Sequence, residues 1–311
     1  MTILSLRECR ICPRNCGVDR SSSVGFCGAG ELIRINLAQI HRGEEPQISG
    51  SRGSGTIFFS HCNLKCVFCQ NHEISVDGWG KDHSPEECAE IMLQLQDQGV
   101  HNINLVTPTH YSLQLLESLT IAKNNGLSIP VVWNSNAYEN VETLQLLEGL
   151  VDIYLPDCKY AHGVYARKYS HASDYPGIAL KAIEEMYRQV CDLEVDSEGI
   201  ATRGLIIRLL VLPNGLAGIS ASLDRIAERL GAQVRISLMA QYYPTHKARE
   251  YPELSRGITQ KEYDVAVEAA ISRGFSHVLV QELSCSSEWT PDFVDYPRES
   301  LNRNDHHENI R

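Results

Sequence analysis

Long apolar runs are missing from this sequence, and so are basic ones. No stretch approaches the roughly 20 apolar residues a helix needs to cross a bilayer. The N-terminus, MTILSLRECR, lacks the apolar core of a secretory leader. Basic residues number 28 against 39 acidic, a formal charge of −11, and no basic run stands out. This balance argues against nucleic acid or an anionic membrane as the main partner. There is no short internal repeat and no low-complexity tract. These absences point to a cytoplasmic chain. A further scarcity is local. The loop HCNLKCVFCQNH, residues 61–72, contains three cysteines but no fourth. A structural zinc site closes its tetrahedron with four protein ligands, so three thiolates on one loop suit a group that must keep a position open.

What is present is a chain that is 43% hydrophobic and 311 residues long, within the range of a single α/β barrel. Its eleven cysteines are unevenly spread. Cys9, Cys12, Cys16 and Cys27 form one group, and Cys62, Cys66 and Cys69 another. In a reducing compartment such groups are metal ligands sooner than disulfides.

From residue 55 the pattern alternates strand and helix. GTIFFSH reads as a strand that feeds the three-cysteine loop. A helix follows over SPEECAEIMLQLQDQG, with Ser84 as N-cap, Pro85 at the first position and Glu87 closing a capping box. Strands are expected at 103–106, 131–133, 151–155, 204–212, 234–239 and 277–281. Helices are expected at 112–124, near 141–149, 175–190 and 220–230, and at 259–273. The strands are apolar runs, not alternating ones, as in parallel sheets covered on both faces. Six β/α units and a trailing strand define the expected fold: α/β, a partial (β/α)6 barrel preceded by a short cysteine-rich metal-binding segment. The expected divisions are 1–50 for that segment and its lead-in, 51–285 for the barrel and 286–311 for a polar tail. In such barrels the working residues follow the C-terminal ends of strands. Here those loops read HCNLKCVFCQNH, TPTHY, NSNAYE, PDCKY, PNG and AQYYPTHK.

The spacing C-x3-C-x2-C, with Phe68 before the third cysteine, resembles the signature of the radical SAM superfamily. Within it, CRICPRNCGVDR, GTIFFSHCNLKCVFCQNHEIS, INLVTPTHY, VDIYLPDCKY and SDYPGIALKAIEEMYRQV look like the pyruvate formate-lyase activating enzyme-like branch, specifically PflX-type proteins. The resemblance implies that Cys62, Cys66 and Cys69 hold three irons of a 4Fe-4S cluster while the fourth binds S-adenosylmethionine (SAM). It further implies reductive cleavage of SAM to a 5′-deoxyadenosyl radical and hydrogen abstraction from a protein or peptide substrate. An external donor of the flavodoxin or ferredoxin kind is the expected electron source. For SAM itself the candidates are Thr107, Thr109 and His110, which stand where related enzymes carry a Gly-Gly-Glu motif. Asn134, Asn136, Asp157, Lys159 and Arg208 complete the set. Lys159 is matched to the SAM carboxylate and Asp157 to its ribose or amino group. Arg208, inside an apolar strand, is costly to bury unless paired. The alternatives are a zinc knuckle borrowing His61 or His72, a non-catalytic metal-binding protein that keeps the barrel, and a radical enzyme with a small-molecule substrate.

The first cysteine group, C-x2-C-x3-C-x10-C, suits either zinc or a second, fully ligated iron–sulfur cluster, and the residues leave both open. A metal staple there is reasonable because thirty residues cannot build a core. Cys88 shares a helical face with Ile91 and Leu95 and reads as packing. Cys158 sits beside the Asp-x-Lys pair, while Cys191 and Cys285 read as structural. Trp79, Tyr242, Tyr243, His246 and Trp289 are candidates to line a substrate mouth. No role is expected of His306 and His307 in the tail.

Overall fold

The computed structural model describes residues 4–283 and 291–295. Its ten strands are β1 (Ile33–His41), β2 (Ser54–Phe59), β3 (Lys81–His83), β4 (Ile103–Val106), β5 (Val131–Ser135), β6 (Ile153–Pro156), β7 (Glu194–Val195), β8 (Ala201–Leu210), β9 (Arg235–Met239) and β10 (Val278–Val280). They form one open sheet in the order β10-β9-β8-β6-β5-β4-β2-β1-β3, with β7 beside β8. Every neighbouring pair from β2 to β10 along that path is parallel. The expected open β/α barrel is therefore the observed architecture.

Helices return the chain between these strands. The one over Pro85–Asp97 starts on the foreseen capping box, with both reciprocal bonds made between Ser84 and Glu87, a device that contributes about 1 kcal/mol. Helices Ser112–Asn124, Tyr175–Val190, Ile219–Leu230 and Gln260–Ser272 fall close to their expected bounds. The helix expected near 141–149 is only Val141–Gln145. Helix Gly163–Ser170 was not foreseen, nor were β1, β3 and β7. β1 pairs antiparallel with both β2 and β3, so part of the expected lead-in is woven into the sheet.

The period of two along each strand separates the two faces of the sheet. Trp133, Tyr154, Leu205 and Ile207 belong to the large core under the helices. Their neighbours Val132, Ile153, Leu155 and Ile206 pack with Ile48 in a second, small cluster. Carried one step further along the same strands, this second face presents Asn134, Asp157 and Arg208. The register agrees, because Asn134 stands opposite Leu155 and Val106 and Asp157 bridges Arg208. An apolar plug thus closes one end of the concave face and a polar network stands above it.

Candidate functional site

The loop after β2 turns through two left-handed residues, His61 (φ 71°) and Lys65 (φ 54°). It is held from outside by Val67 N–H to the Tyr169 carbonyl and Lys247 N–H to the Val67 carbonyl, both 2.9 Å. Its three thiols face an open cavity of about 1360 Å3, part of it continuous with solvent, that also touches Thr107, Asn134, Asn136, Asp157, Lys159 and Arg208. The sequence-derived residues from four different strand ends thus converge on one space.

Each thiol meets a donor. Leu64 N–H lies 3.4 Å and Asn136 Nδ2 3.5 Å from Cys62 Sγ. Ser170 Oγ donates to Cys66 Sγ at 2.9 Å, and Ser75 Oγ lies 3.2 Å from Cys69 Sγ. Burial pushes the Cys66 thiol up to about 12 and raises that of Cys69. A cluster bound here takes them as thiolates and so displaces their protons. Among the described residues, no three Cys, His, Asp or Glu side chains converge as ligands of one metal ion. A 4Fe-4S cluster asks something different of three cysteines, since each holds its own iron.

Arg208 is paired, as its burial requires. Its Nε donates to Asp157 Oδ1 at 2.7 Å, Nη1 to Glu44 Oε2 at 3.0 Å and Nη2 to Asn134 Oδ1 at 2.5 Å. Lys159 Nζ donates to the other Asp157 oxygen at 2.6 Å. None of these four charged side chains is more than 16% exposed. Burial pushes the Asp157 carboxyl up, but Arg208 and Lys159 outweigh it and hold the group below its usual range. For Lys159, burial works against the ammonium, and Asp157 reverses it so that the net shift is upward. Breaking one member of such a network strands the others. Tyr175 locks the Asp157–Lys159 turn: its hydroxyl bonds the Asp157 carbonyl at 2.6 Å and accepts from Lys159 N–H at 2.9 Å.

Two acids that the sequence reading missed complete the wall. Glu44 accepts from Asn104, Asn134 and Arg208. Glu45 is 8% exposed, lines the cavity and keeps Oε2 buried without a partner. Burial raises its carboxyl above the usual range, against the pull of Arg208. The available signal was indirect: a charged residue in an apolar strand demands a partner, and the Glu-Glu-Pro at 44–46 was the unassigned acidic pair nearest the barrel entrance.

The TPTHY loop is only partly in the site. Thr107 (φ 60°) touches the cavity, and a left-handed β-branched residue is an outlier that the surroundings must hold in place. Past it the chain enters a 3-10 turn, Thr109–Tyr111, and packs beneath the strand ends. Thr109 and His110 are buried and do not line the cavity. His110 Nε2 bonds the Ser60 carbonyl at 2.8 Å, and its ring borders the space between the N-terminal cysteines instead.

Those cysteines share that second cavity. Cys9, Cys12, Cys16 and Cys27 line about 330 Å3 together with Arg20 and His110. Backbone N–H groups of Phe26 and Ala29 reach Cys16 and Cys27 sulfur at 3.4 Å. A Cβ at position 25 would stand 2.8 Å from Cys16 Sγ, so any residue larger than Gly25 requires the Cys16 side chain to shift.

Of the remaining candidates, Tyr242 lines the main cavity and packs edge-on against Phe68, while His246 stacks on His72 at 4.8 Å. Trp79 offers its carbonyl to the Ser60 hydroxyl. Cys88 is fully buried in the core, as expected. Cys158 stays outside the cavity lining. Cys285, Trp289, His306 and His307 lie outside the described residues. No helix among the described residues is long and apolar enough to cross a membrane.

An open parallel barrel with three thiols at its strand ends defines an iron–sulfur protein built to hold a small molecule beside its cluster. The sequence comparison assigns the class. The Radical SAM superfamily model matches residues 56–190, and the chain belongs to that superfamily of 4Fe-4S and SAM-dependent enzymes. An uncharacterized protein of Methanocaldococcus jannaschii is 36% identical over 274 residues, 85% of this chain and 74% of the relative. A second uncharacterized protein of the same organism is 24% identical over 178 residues, covering 49% and 52%. Among solved structures, the chain is similar to methylornithine synthase, PylB (15% identity, TM-score 0.47, 81% of this chain and 77% of that one). It is also similar to HydG, a maturase of FeFe-hydrogenase (15%, 0.47, 70% and 48%).

Proposed function

We propose that this chain is a radical SAM enzyme of the pyruvate formate-lyase activating enzyme-like branch that abstracts hydrogen from a protein or peptide. The observation that carries the reading is the convergence of the Cys62, Cys66 and Cys69 thiols with the Asp157–Lys159–Arg208 network on one cavity. The bound cluster would supply one electron to cleave the sulfonium C–S bond of SAM, giving methionine and the 5′-deoxyadenosyl radical. The chain's own contribution is binding, orientation and shelter from water. Cys62, Cys66 and Cys69 would hold three irons. Lys159 offers an ammonium to the SAM carboxylate, and Asp157, Asn134 and Asn136 offer hydrogen-bonding groups to its amino and ribose ends. Phe68, packed against Tyr160 and Tyr242, covers the cluster loop with apolar surface. As in the superfamily generally, the electron comes from an external donor.

A polymeric substrate is supported by the opening of the cavity to solvent. The test is anaerobic reconstitution followed by addition of SAM and reductant. The expected results are a brown protein, an EPR signal that changes with SAM, and release of 5′-deoxyadenosine. Replacing Cys62, Cys66 and Cys69 by alanine should abolish the SAM-responsive signal and the release of 5′-deoxyadenosine, and undiminished SAM cleavage by that variant sinks the reading. Deuterium transfer from labelled peptides, compared with labelled metabolites, tests the substrate class.

A further inference from the structure

The N-terminal cysteines are not a detached knot. Cys12 is buried, and the side chain of Asn63 stands beside its thiol. Asn63 is the residue after Cys62, is fully buried, and accepts from Asn136 Nδ2 at 2.8 Å. That same Asn136 nitrogen lies 3.5 Å from Cys62 Sγ. One asparagine therefore separates a thiol of the four-cysteine group from a thiol of the three-cysteine group, inside the protein and away from water.

Three observations describe what the four-cysteine space would take. Among the described residues, no three of its side chains converge on a single ion, which disfavours one tetrahedral zinc and suits a cluster whose cysteines each hold a separate iron. The space contains two buried polar atoms without a partner, Arg20 Nη2 and His110 Nδ1, on side chains that line it. An unpaired guanidinium N–H beside four sulfurs fits a group of net negative charge that accepts hydrogen bonds, as an all-thiolate cluster does. Finally, the segment is locally basic in an acidic protein. Residues 1–30 carry four arginines and two acids, against −11 overall, and Lys65 lies 5.2 Å from the Phe26 ring at its edge.

From these we infer that Cys9, Cys12, Cys16 and Cys27 bind an iron–sulfur cluster that relays electrons from an acidic one-electron carrier protein to the site at Cys62, Cys66 and Cys69. The inference rests on the radical SAM reading above and adds the entry route. Each turnover moves one electron: the reduced carrier loses it, the four-cysteine site takes it up and passes it on across Asn63, and SAM cleavage consumes it. The net positive charge of this segment, with Arg7 exposed and Arg14 and Lys65 part-exposed beside Phe26, matches an acidic carrier and accelerates encounter in a salt-dependent way.

The test uses the full-length chain, purified and reconstituted without oxygen. The wild type should hold about eight irons and Cys12→Ser/Cys16→Ser about four. With dithionite as the electron source, both should cleave SAM at rates within about twofold. With reduced flavodoxin as the source, the variant should fall at least about tenfold, since its long-range route is gone. One zinc per chain in place of the second cluster, or a variant that flavodoxin drives as well as the wild type, overturns the relay. If the variant does not fold, the reduced wild type decides alone. Two spin-coupled cluster signals, only one of them altered by SAM, support the relay, and a single signal refutes it. A wild type that dithionite cannot drive would defeat the enzyme reading instead, while the iron count and spin coupling still report on the relay.

Discussion

At the scale of single residues, the site works through groups that would be unstable alone. Lys159 is held by Asp157 at 2.6 Å and shares that carboxylate with Arg208, so its ammonium is fixed in place before any ligand arrives. A charge-assisted hydrogen bond from it to a carboxylate is worth about 1.5–3 kcal/mol. Lys159→Ala should therefore keep its iron and sulfide yet bind SAM about ten- to a hundredfold more weakly by isothermal titration. Equal affinities would mean that SAM is anchored elsewhere. The sulfurs are tuned in the same economical way. Tyr160 and Ser170 hydroxyls lie 2.7 Å apart, and Ser170 donates to Cys66 Sγ. A donor to a cluster sulfur favours the more negative, reduced state. Removing one of about 0.5–1.5 kcal/mol, at 59 mV per tenfold for one electron, should lower the cluster midpoint in Ser170→Ala by about 20–65 mV. A redox titration showing no change would make that bond incidental.

At the scale of elements, the loop after β5 carries a pH dependence. Glu139 is fully buried, and burial pushes its carboxyl up to about 7 despite hydrogen bonds from Ser135 and from Trp133 Nε1, the latter at 3.0 Å. A raised acid is held protonated by folding, so its stability is complete below the ordinary value near 4.5 and is lost as pH climbs toward 7. Wild type should be less stable at pH 8 than at pH 5 through this group. Glu139→Gln, which keeps an acceptor for the indole, should be more stable than wild type at pH 8 by about 2–3 kcal/mol, a gain that shrinks toward pH 5. Urea melts at the two pH values check it, and a constant difference would locate the titration elsewhere. Elements of this kind were unequally legible in the sequence. Helix Pro85–Asp97 was readable because Ser84, Pro85 and Glu87 write its start in local chemistry, and β4 because INLV is an apolar run between turns. β1 was missed because IRINLAQIH alternates, with only part of one face buried, and it pairs antiparallel outside the β/α repeat. His110 was assigned to the wrong cavity because spacing along the chain does not reveal the 3-10 turn that tucks it under the strands. Glu44 was missed because its partners, Asn104, Asn134 and Arg208, lie on three different strands.

At the scale of the whole molecule, the question is what fastens the N-terminal segment to a barrel that is otherwise complete in its strand order. Arg14 does much of this. Its Nε donates to the Asn63 carbonyl at 2.7 Å, its Nη2 to the Ser170 carbonyl at 3.1 Å and its Nη1 to the His171 carbonyl. These acceptors belong to the three-cysteine loop and to the end of helix Gly163–Ser170, so one side chain joins three distant stretches of chain. Its guanidinium also stacks 3.8 Å from the Phe26 ring centroid, a contact that a planar cation makes better than an ammonium. Ser170 itself reaches Cys66, so the same clamp sets the position of a donor to the cluster. Arg14→Ala leaves three carbonyls to find other partners. With each charged bond worth about 1.5–3 kcal/mol when buried, and a discount for the part that solvent reaches, the loss should be about 2–4 kcal/mol. Arg14→Lys keeps the charge but replaces a planar fork with a single ammonium that cannot span all three acceptors, so it should fall between alanine and wild type. The order of thermal midpoints, wild type above Lys above Ala, checks the clamp. The rate at which each protein bleaches in air should run in the opposite order, because a loosened segment exposes the Cys62–Cys69 loop. A lysine variant as stable as wild type would show that charge, not the three-way geometry, is what binds the segment to the barrel.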